Sequence, residues 1–203
     1  MPFTHIAQHA SVQRGSPAET ADIAMAKRLA RARHHGAVQV AGTLSEVGDQ
    51  PPLLTLSGAV LALGLVTGKA QVAGAGARML AAVLVATGIK SVLKHLVSRT
   101  RPNVLLDEGR YAVQAFGPDE GPSQSFPSGH TAGSVAAARA LARVYPGAST
   151  PAYAAAAAIA LVQVPRGAHY PSDVIAGAVV GVVAEAIVDR AAVWLRLSRQ
   201  ANT

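Results

Sequence analysis

Three short blocks of the chain hold residues able to do chemistry together. Lys94 lies seven positions before Arg101-Pro102, Phe126 leads into Pro127-Ser128-Gly129-His130, and His169 lies four positions before Asp173. A cation set, a Ser-Gly-His loop and a carboxylate-supported imidazole suffice to move a phosphoryl group without a metal. On a helix, Lys90, Lys94 and Arg101 fall close to one face, because steps of four and seven residues return to nearly the same direction. Three like charges on a largely apolar helix are costly unless an anion or carboxylate meets them, or unless they snorkel to a membrane interface. Pro102 stops that helix or marks its exit.

Pro127-Ser128-Gly129-His130 immediately precedes an apolar run that reads as a helix. Ser128 or its neighbours then cap it, and Gly129 lets an anion approach the first unpaired N–H groups. His130 would stand at the mouth of that site, placed to give a proton to a leaving oxygen. The plainer alternative is a capped turn with a surface histidine. At the i, i+4 spacing, Asp173 can hold one N–H of His169 and leave the other nitrogen free as a nucleophile. His130, His169 and Asp173 could also be drawn as metal ligands, but no short-spaced second histidine completes a familiar pattern. Ser128 could head a Ser-His-Asp hydrolase, but the Gly-x-Ser-x-Gly elbow and its strands are missing. His5, His9, His34, His35 and His95 are expected at surfaces or interfaces.

The elements that must position these residues are helical. The chain has 203 residues, half of them hydrophobic and only 14% charged, with a mean hydropathy of +0.29. Soluble domains usually carry about 25% charged residues. Uncharged or sparsely charged runs cover 53–67, 72–97, 131–145, 152–164 and 174–188, with Arg78, Lys90, Lys94 and His95 interrupting the second. Several are shorter than the roughly 20 residues of a straight span. Their richness in Ala and Gly, as in Gly177-x-x-x-Gly181, and the placement of charges at their ends favour a helical membrane bundle of about five spans over a soluble all-α protein. Cysteine is absent, which excludes disulfides and thiolate chemistry. The net charge of +7 with only 4% aromatic residues suits anionic lipid or phosphate better than nucleic acid.

The N-terminal stretch 1–16 is polar and lacks the pattern of a secretory signal peptide. A helix is predicted over 17–35, acidic early (Glu19, Asp22) and basic late (Lys27, Arg28, Arg31, Arg33), either lying on a membrane surface or packed on the rest of the chain. Gly48-Asp49-Gln50-Pro51-Pro52 marks a boundary, giving an N-terminal polar segment, 1–48, and a helical domain, 49–203. The connection 103–124 reads as long and irregular, carrying Asp107, Glu108, Asp119 and Glu120, and loops of that length are usually functional.

Taken together, the three blocks resemble the type 2 phosphatidic acid phosphatase superfamily, which includes soluble bacterial acid phosphatases and vanadium haloperoxidases. The family pattern is Lys-x6-Arg-Pro, then Pro-Ser-Gly-His, then Ser-Arg-x5-His-x3-Asp. The first two are complete at Lys94 to Pro102 and Pro127 to His130, and the third keeps His169 and Asp173; the likeness covers about 53–188. The Ser-Arg positions hold Val162 and Gln163, so the expected phosphate-binding arginine is replaced. Arg166 lies one helical turn on, and Gln163 retains a neutral donor.

The resemblance implies an all-α, haloperoxidase-like multi-span bundle and a phosphohistidine mechanism that needs no metal or other cofactor. His169 would attack phosphorus, Asp173 would orient it, and His130 would protonate the leaving group and then activate water. Lys94, Arg101, Ser128 and Gly129 would hold the phosphoryl oxygens, with Arg166 or Gln163 in place of the missing arginine. The implied protein is an integral membrane phosphatase acting on a lipid phosphate or polyprenyl (isoprenoid) diphosphate in the cell's inner membrane. Positive-inside counting puts the site on the cytoplasmic face, whereas the family likeness favours the outer face, the expectation adopted. Two alternatives stay open: a soluble acid phosphatase for small phosphomonoesters, and a catalytically weakened protein that binds lipid phosphate.

Overall fold

The computed structural model describes residues 16–117 and 120–201. The polar stretch before Ser16, with His5 and His9, lies outside the described residues, as does Asp119 of the acidic connection.

Helix α1 (Pro17–Leu29) starts where Ser16 Oγ accepts the Glu19 N–H at 3.2 Å and proline occupies the first turn. The helix predicted over 17–35 tightens into a 3-10 turn (Ala30–His34) and ends at His35, whose ψ of 133° is extended. The His35 ring then accepts the Ala37 N–H and opens α2 (Gly36–Ser45). A short turn (Glu46–Gly48) leads to α3 (Gln50–Val66), which begins on two prolines and runs at 53° to the α2 segment. Gly68, at φ 66°, closes α3 while the Lys69 N–H returns to the Gly64 carbonyl. The long α4 (Ala70–Leu96) follows.

Past α4 the chain departs from its expected course. Val97–Arg99 forms β1, which pairs antiparallel with β2 (Val113–Ala115), and the seven-residue α5 (Pro102–Glu108) lies between them. The connection read as irregular therefore has a strand and a helix of its own. Arg101 is extended (ψ 152°), as a residue before proline prefers, so it does not continue the Lys90–Lys94 face. Pro102 starts a helix and does not end one.

Three helices complete the bundle: α6 (Gly129–Val144), α7 (Ser149–Val162) and α8 (Pro171–Ala201). Helix α6 is central, packed against α4, α7 and α8. Its buried face is almost all small residues, including Ala132, Gly133, Ala136, Ala137 and Ala140, which meet Met79, Val83, Val180 and Ala184 in the core. Small side chains let backbones approach closely where lipid gives helices no hydrophobic reason to associate. The Gly177-x-x-x-Gly181 stripe does this: a Cβ at Gly177 would stand 2.5 Å from the Ser128 carbonyl oxygen, and one at Gly181 2.6 Å from that of Ala132.

Helices α4 and α8 are long and apolar enough to cross a membrane, and the bent α2–α3 pair would make a third span. About five spans were expected. Helices α6 and α7, at 16 and 14 residues, fall short of the roughly 20 a straight span needs. Large apolar side chains such as Leu63, Val66, Leu84, Leu161, Ile175 and Val179 point outward, as a lipid surround would favour. Arg78 is accommodated by Asp189 at 2.8 Å, and Glu185 takes Arg139 at 3.1 Å and Arg143 at 3.0 Å. These pairs tie α4, α6 and α8 together toward the end of the bundle away from His130.

Candidate active site

Four helix termini meet at the other end: the C-termini of α4 and α7 and the N-termini of α6 and α8. They enclose a cavity of about 420 Å³. Lys94, Arg101, Gly129, His130, Gln163, Arg166 and His169 all line it, so blocks separated in sequence converge as expected. Lys90 lines it too, its aliphatic stem lying over Gly129, where an added Cβ would come 3.0 Å from Lys90 Cδ. His95, expected at a surface or interface, is also on the cavity wall. Four cations line the cleft against one carboxylate, Asp49, so its wall is net positive. Among the described residues no group of three His, Cys, Asp or Glu side chains is placed to hold a metal ion.

His169 is almost fully buried, and its Nδ1 lies 2.7 Å from the Ser125 carbonyl oxygen. A carbonyl only accepts, so Nδ1 carries the proton and Nε2 keeps its lone pair. Burial, reinforced by the Arg101 and Lys94 charges, pushes the imidazole down to about 4 despite Asp173. At neutral pH the ring is uncharged.

Asp173 was expected to hold that ring directly. Its Oδ2 is 3.9 Å from Nδ1, beyond hydrogen-bond reach, because the carboxylate is engaged elsewhere. Oδ2 accepts from Ser125 Oγ at 2.5 Å and from the Tyr170 N–H at 2.9 Å. The latter is the return arm of a capping box, with Asp173 third in α8. Asp173 thus reaches His169 through Ser125, whose hydroxyl it binds and whose carbonyl holds the ring.

Ser128 is the N-cap of α6. Its buried Oγ meets the Thr131 hydroxyl at 3.0 Å and N–H at 3.4 Å, and its own N–H goes to the Asp173 carbonyl at 3.0 Å. The hydroxyl is not on the cavity wall; Ser128 shapes the loop, which contains a cis Phe126–Pro127 bond, and presents Gly129 and His130.

The Gln163 substitution resolves clearly. Gln163 is fully buried and its amide donates to the Ile159 carbonyl at 2.9 Å and to Ser45 Oγ at 3.2 Å, while Oε1 has no partner. Arg166 anchors on the same Ser45 Oγ at 3.1 Å and brings its guanidinium to the cavity.

Sequence reasoning missed three residues. Glu46, just past α2, takes Arg166 Nη2 on one oxygen at 2.6 Å and faces His130 Nε2 with the other at 3.3 Å. Arg99 of β1 binds Asp173 Oδ1 at 2.8 Å, and Ser125 links Asp173 to His169. Burial opposes the Arg99 charge, but Asp173 and Asp22 together hold its proton affinity above the ordinary value.

The fold and cleft define a membrane helical bundle with a cation-lined cleft at one end. The chain belongs to the PAP2 superfamily, whose family model matches residues 75–196. It is 34% identical to a lipid A 1-phosphatase of Rhizobium etli over 106 residues, which are 52% of this chain and 45% of that protein. It is 36% identical to the lipid A 1-phosphatase of Rhizobium johnstonii over 108 residues, 52% of this chain and 43% of that one. The matches thus span less than half the length of these relatives.

Among solved structures, the Aquifex aeolicus LpxE crystal structure superposes with a TM-score of 0.62 at 22% identity, covering 83% of this chain and 94% of that one. The transmembrane PAP2-type phosphatidylglycerolphosphate phosphatase of Bacillus subtilis gives 0.66 at 22% identity, covering 87% and 86%. Both likenesses establish the fold. The protein is an integral membrane protein of this family.

Proposed function

We propose that the chain is a metal-independent phosphatase of membrane lipids, acting on a lipid phosphate or isoprenoid diphosphate through a phosphohistidine. The observation that carries this reading is His169: buried, neutral, its Nδ1–H committed to Ser125, and set in a wall with Lys94, Arg101 and Arg166. His169 Nε2 forms a bond to phosphorus as the bond to the lipid oxygen breaks, and His130 gives that oxygen its proton. Water then attacks phosphorus, His130 takes the water proton, and the N–P bond breaks to release phosphate. Lys94, Arg101, Arg166 and the Gly129 N–H offset the charge of the transferring group, the role metal ions fill in kinases.

The span-length α4 and α8 favour a lipid over a small soluble phosphomonoester, since the acyl or prenyl tail stays in the bilayer while the headgroup meets the cations. The 1-phosphate of lipid A joins the candidate substrates through the Rhizobium relatives. The same proposal places the protein in the cell's inner membrane with its site on the outer face. The family likeness supports that side, and the basic residues late in α1 argue for the other. As the chain has no cysteine, labelling of an Arg110→Cys variant in intact cells by an impermeant maleimide decides between the faces.

The activity is tested by phosphate release from detergent-solubilised protein in EDTA. The substrates are lipid A, phosphatidic acid, phosphatidylglycerol phosphate and isoprenoid diphosphates, with wild type beside His169→Ala. Release that survives EDTA and disappears in the variant supports the proposal. Vanadate binding without turnover would instead identify a lipid-phosphate-binding member of the family.

A further inference from the structure

We infer that Asp22 of α1 and Arg99 of β1 form a positioning pair that fixes the Asp173 carboxylate, so that the N-terminal helix is a working part of the active site. The inference rests on the phosphatase reading above and concerns residues that do not line the cavity.

The Arg99 guanidinium is engaged on every side. Nη1 donates to Asp173 Oδ1 at 2.8 Å and to Ser172 Oγ at 2.8 Å, Nη2 to Asp22 Oδ2 at 2.8 Å, and Nε to the Tyr111 hydroxyl at 3.3 Å. Its face lies 3.8 Å from the Tyr170 ring centroid. Asp22 also takes the Ser172 N–H at 2.9 Å and the Ser172 hydroxyl, so it grips the first turn of α8 directly. A second tie runs from Glu19 through the Tyr111 hydroxyl at 2.6 Å.

The Asp173 side chain is fully buried, and a buried carboxylate needs a cation and full hydrogen bonding. Arg99 supplies the cation. One arginine facing one carboxylate could swing within its contact; Arg99 cannot, because Asp22 pins the far side of the fork. With Oδ1 held by Arg99, Oδ2 is left to face Ser125 and the Tyr170 N–H, and Ser125 holds the nucleophile. The relay runs Asp22, Arg99, Asp173, Ser125, His169. Asp22 lies in the N-terminal helix, outside the stretch matched by the family model.

The test uses the full chain in detergent: wild type, Asp22→Asn, Arg99→Gln and the double variant, with kcat, KM and vanadate inhibition measured on the preferred lipid. Each single change is expected to lower kcat by about 10- to 100-fold, since small displacements of a reacting group cost that much. KM and vanadate affinity should stay within about threefold, and the double variant should lose no more than Arg99→Gln alone. Asp22→Asn with a kcat within about twofold of wild type overturns the inference, as do multiplicative losses or vanadate affinity falling in step with kcat. If Arg99→Gln fails to fold, the isosteric Asp22→Asn carries the test. A wild type inactive on every lipid sinks the phosphatase reading instead. The relay is then judged on the ring-nitrogen NMR shifts of His169, assigned with His169→Gln. Movement of those signals in Asp22→Asn upholds it, and unmoved signals overturn it.

Discussion

His169 gives its Nδ1 proton to the backbone carbonyl of Ser125 at 2.7 Å. A carbonyl cannot titrate, so the neutral ring keeps the tautomer that leaves Nε2 its lone pair. The ring is also held neutral, its proton affinity pushed down to about 4 by burial and by the Arg101 and Lys94 charges. An unfolded histidine titrates near 6.5.

Stability should therefore depend on pH in a definite direction. Between about pH 6.5 and 4 the unfolded chain binds a proton at His169 that the folded chain refuses, so acidification favours unfolding. The contribution is complete above pH 6.5 and is lost as pH falls. Thermal midpoints in detergent should drop from pH 7 to 5, and His169→Gln should drop less over the same interval. Parallel curves for the two proteins would mean that His169 is not buried neutral.

Arg166 is expected to be the arginine that activity depends on. Arg166 and Gln163 both line the cavity, but the Gln163 amide N–H groups are spent on Ile159 and Ser45. Arg166→Ala should lower kcat/KM by about 10²- to 10³-fold, the usual cost of one lost donor to a transferring group. Gln163→Met should cost much less rate. The idea fails if steady-state kinetics rank the two variants the other way.

Much of the site was legible because its chemistry is written as residue type at fixed spacing: Lys94 to Arg101, Ser128 to His130, His169 to Asp173. The same local logic exposed the helix caps and the small-residue stripe at Gly177 and Gly181. It could not reach pairings that cross the chain. Asp22 meets Arg99 from 77 positions away, Arg99 meets Asp173 from 74, and Glu46 meets His130 from 84. No spacing rule selects one carboxylate among several at such separations. Asp173 misled for a related reason: its i, i+4 spacing to His169 is real, but the capping bond to Tyr170 and the pull of Arg99 turn it toward Ser125. Arg101 misled because helical periodicity was carried past Leu96, where the chain pairs as a strand instead.

Glu46 makes a further prediction. Its two oxygens meet Arg166 and His130, so it stands where the charge of a phosphoryl group would compete. Removing one negative charge beside a partly screened anion site is worth on the order of tenfold in anion affinity. Glu46→Gln should tighten product inhibition by inorganic phosphate by about that factor and lower kcat, because His130 loses the partner that orients it. An unchanged phosphate inhibition constant would show that Glu46 does not oppose the anion.

The crossing of α8 over α6 links helix packing to the candidate site at a single atom. An added Cβ at Gly177 would stand 2.5 Å from the Ser128 carbonyl oxygen and 3.1 Å from Thr131 Cβ, so α8 or the Ser128 loop must shift. Overpacking of this kind usually costs about 1–3 kcal/mol. The same shift would displace Gly129 from Lys90 and His130 from Glu46. Gly177→Ala should therefore lose both thermal stability and kcat. Gly181→Ala meets the Ala132 carbonyl at 2.6 Å, a turn further from His130, and should lose stability while keeping more of its turnover. Comparing the pair by thermal unfolding and initial rates separates the two effects. Equal kcat losses would show that the close approach at Ser128 has no special bearing on the site.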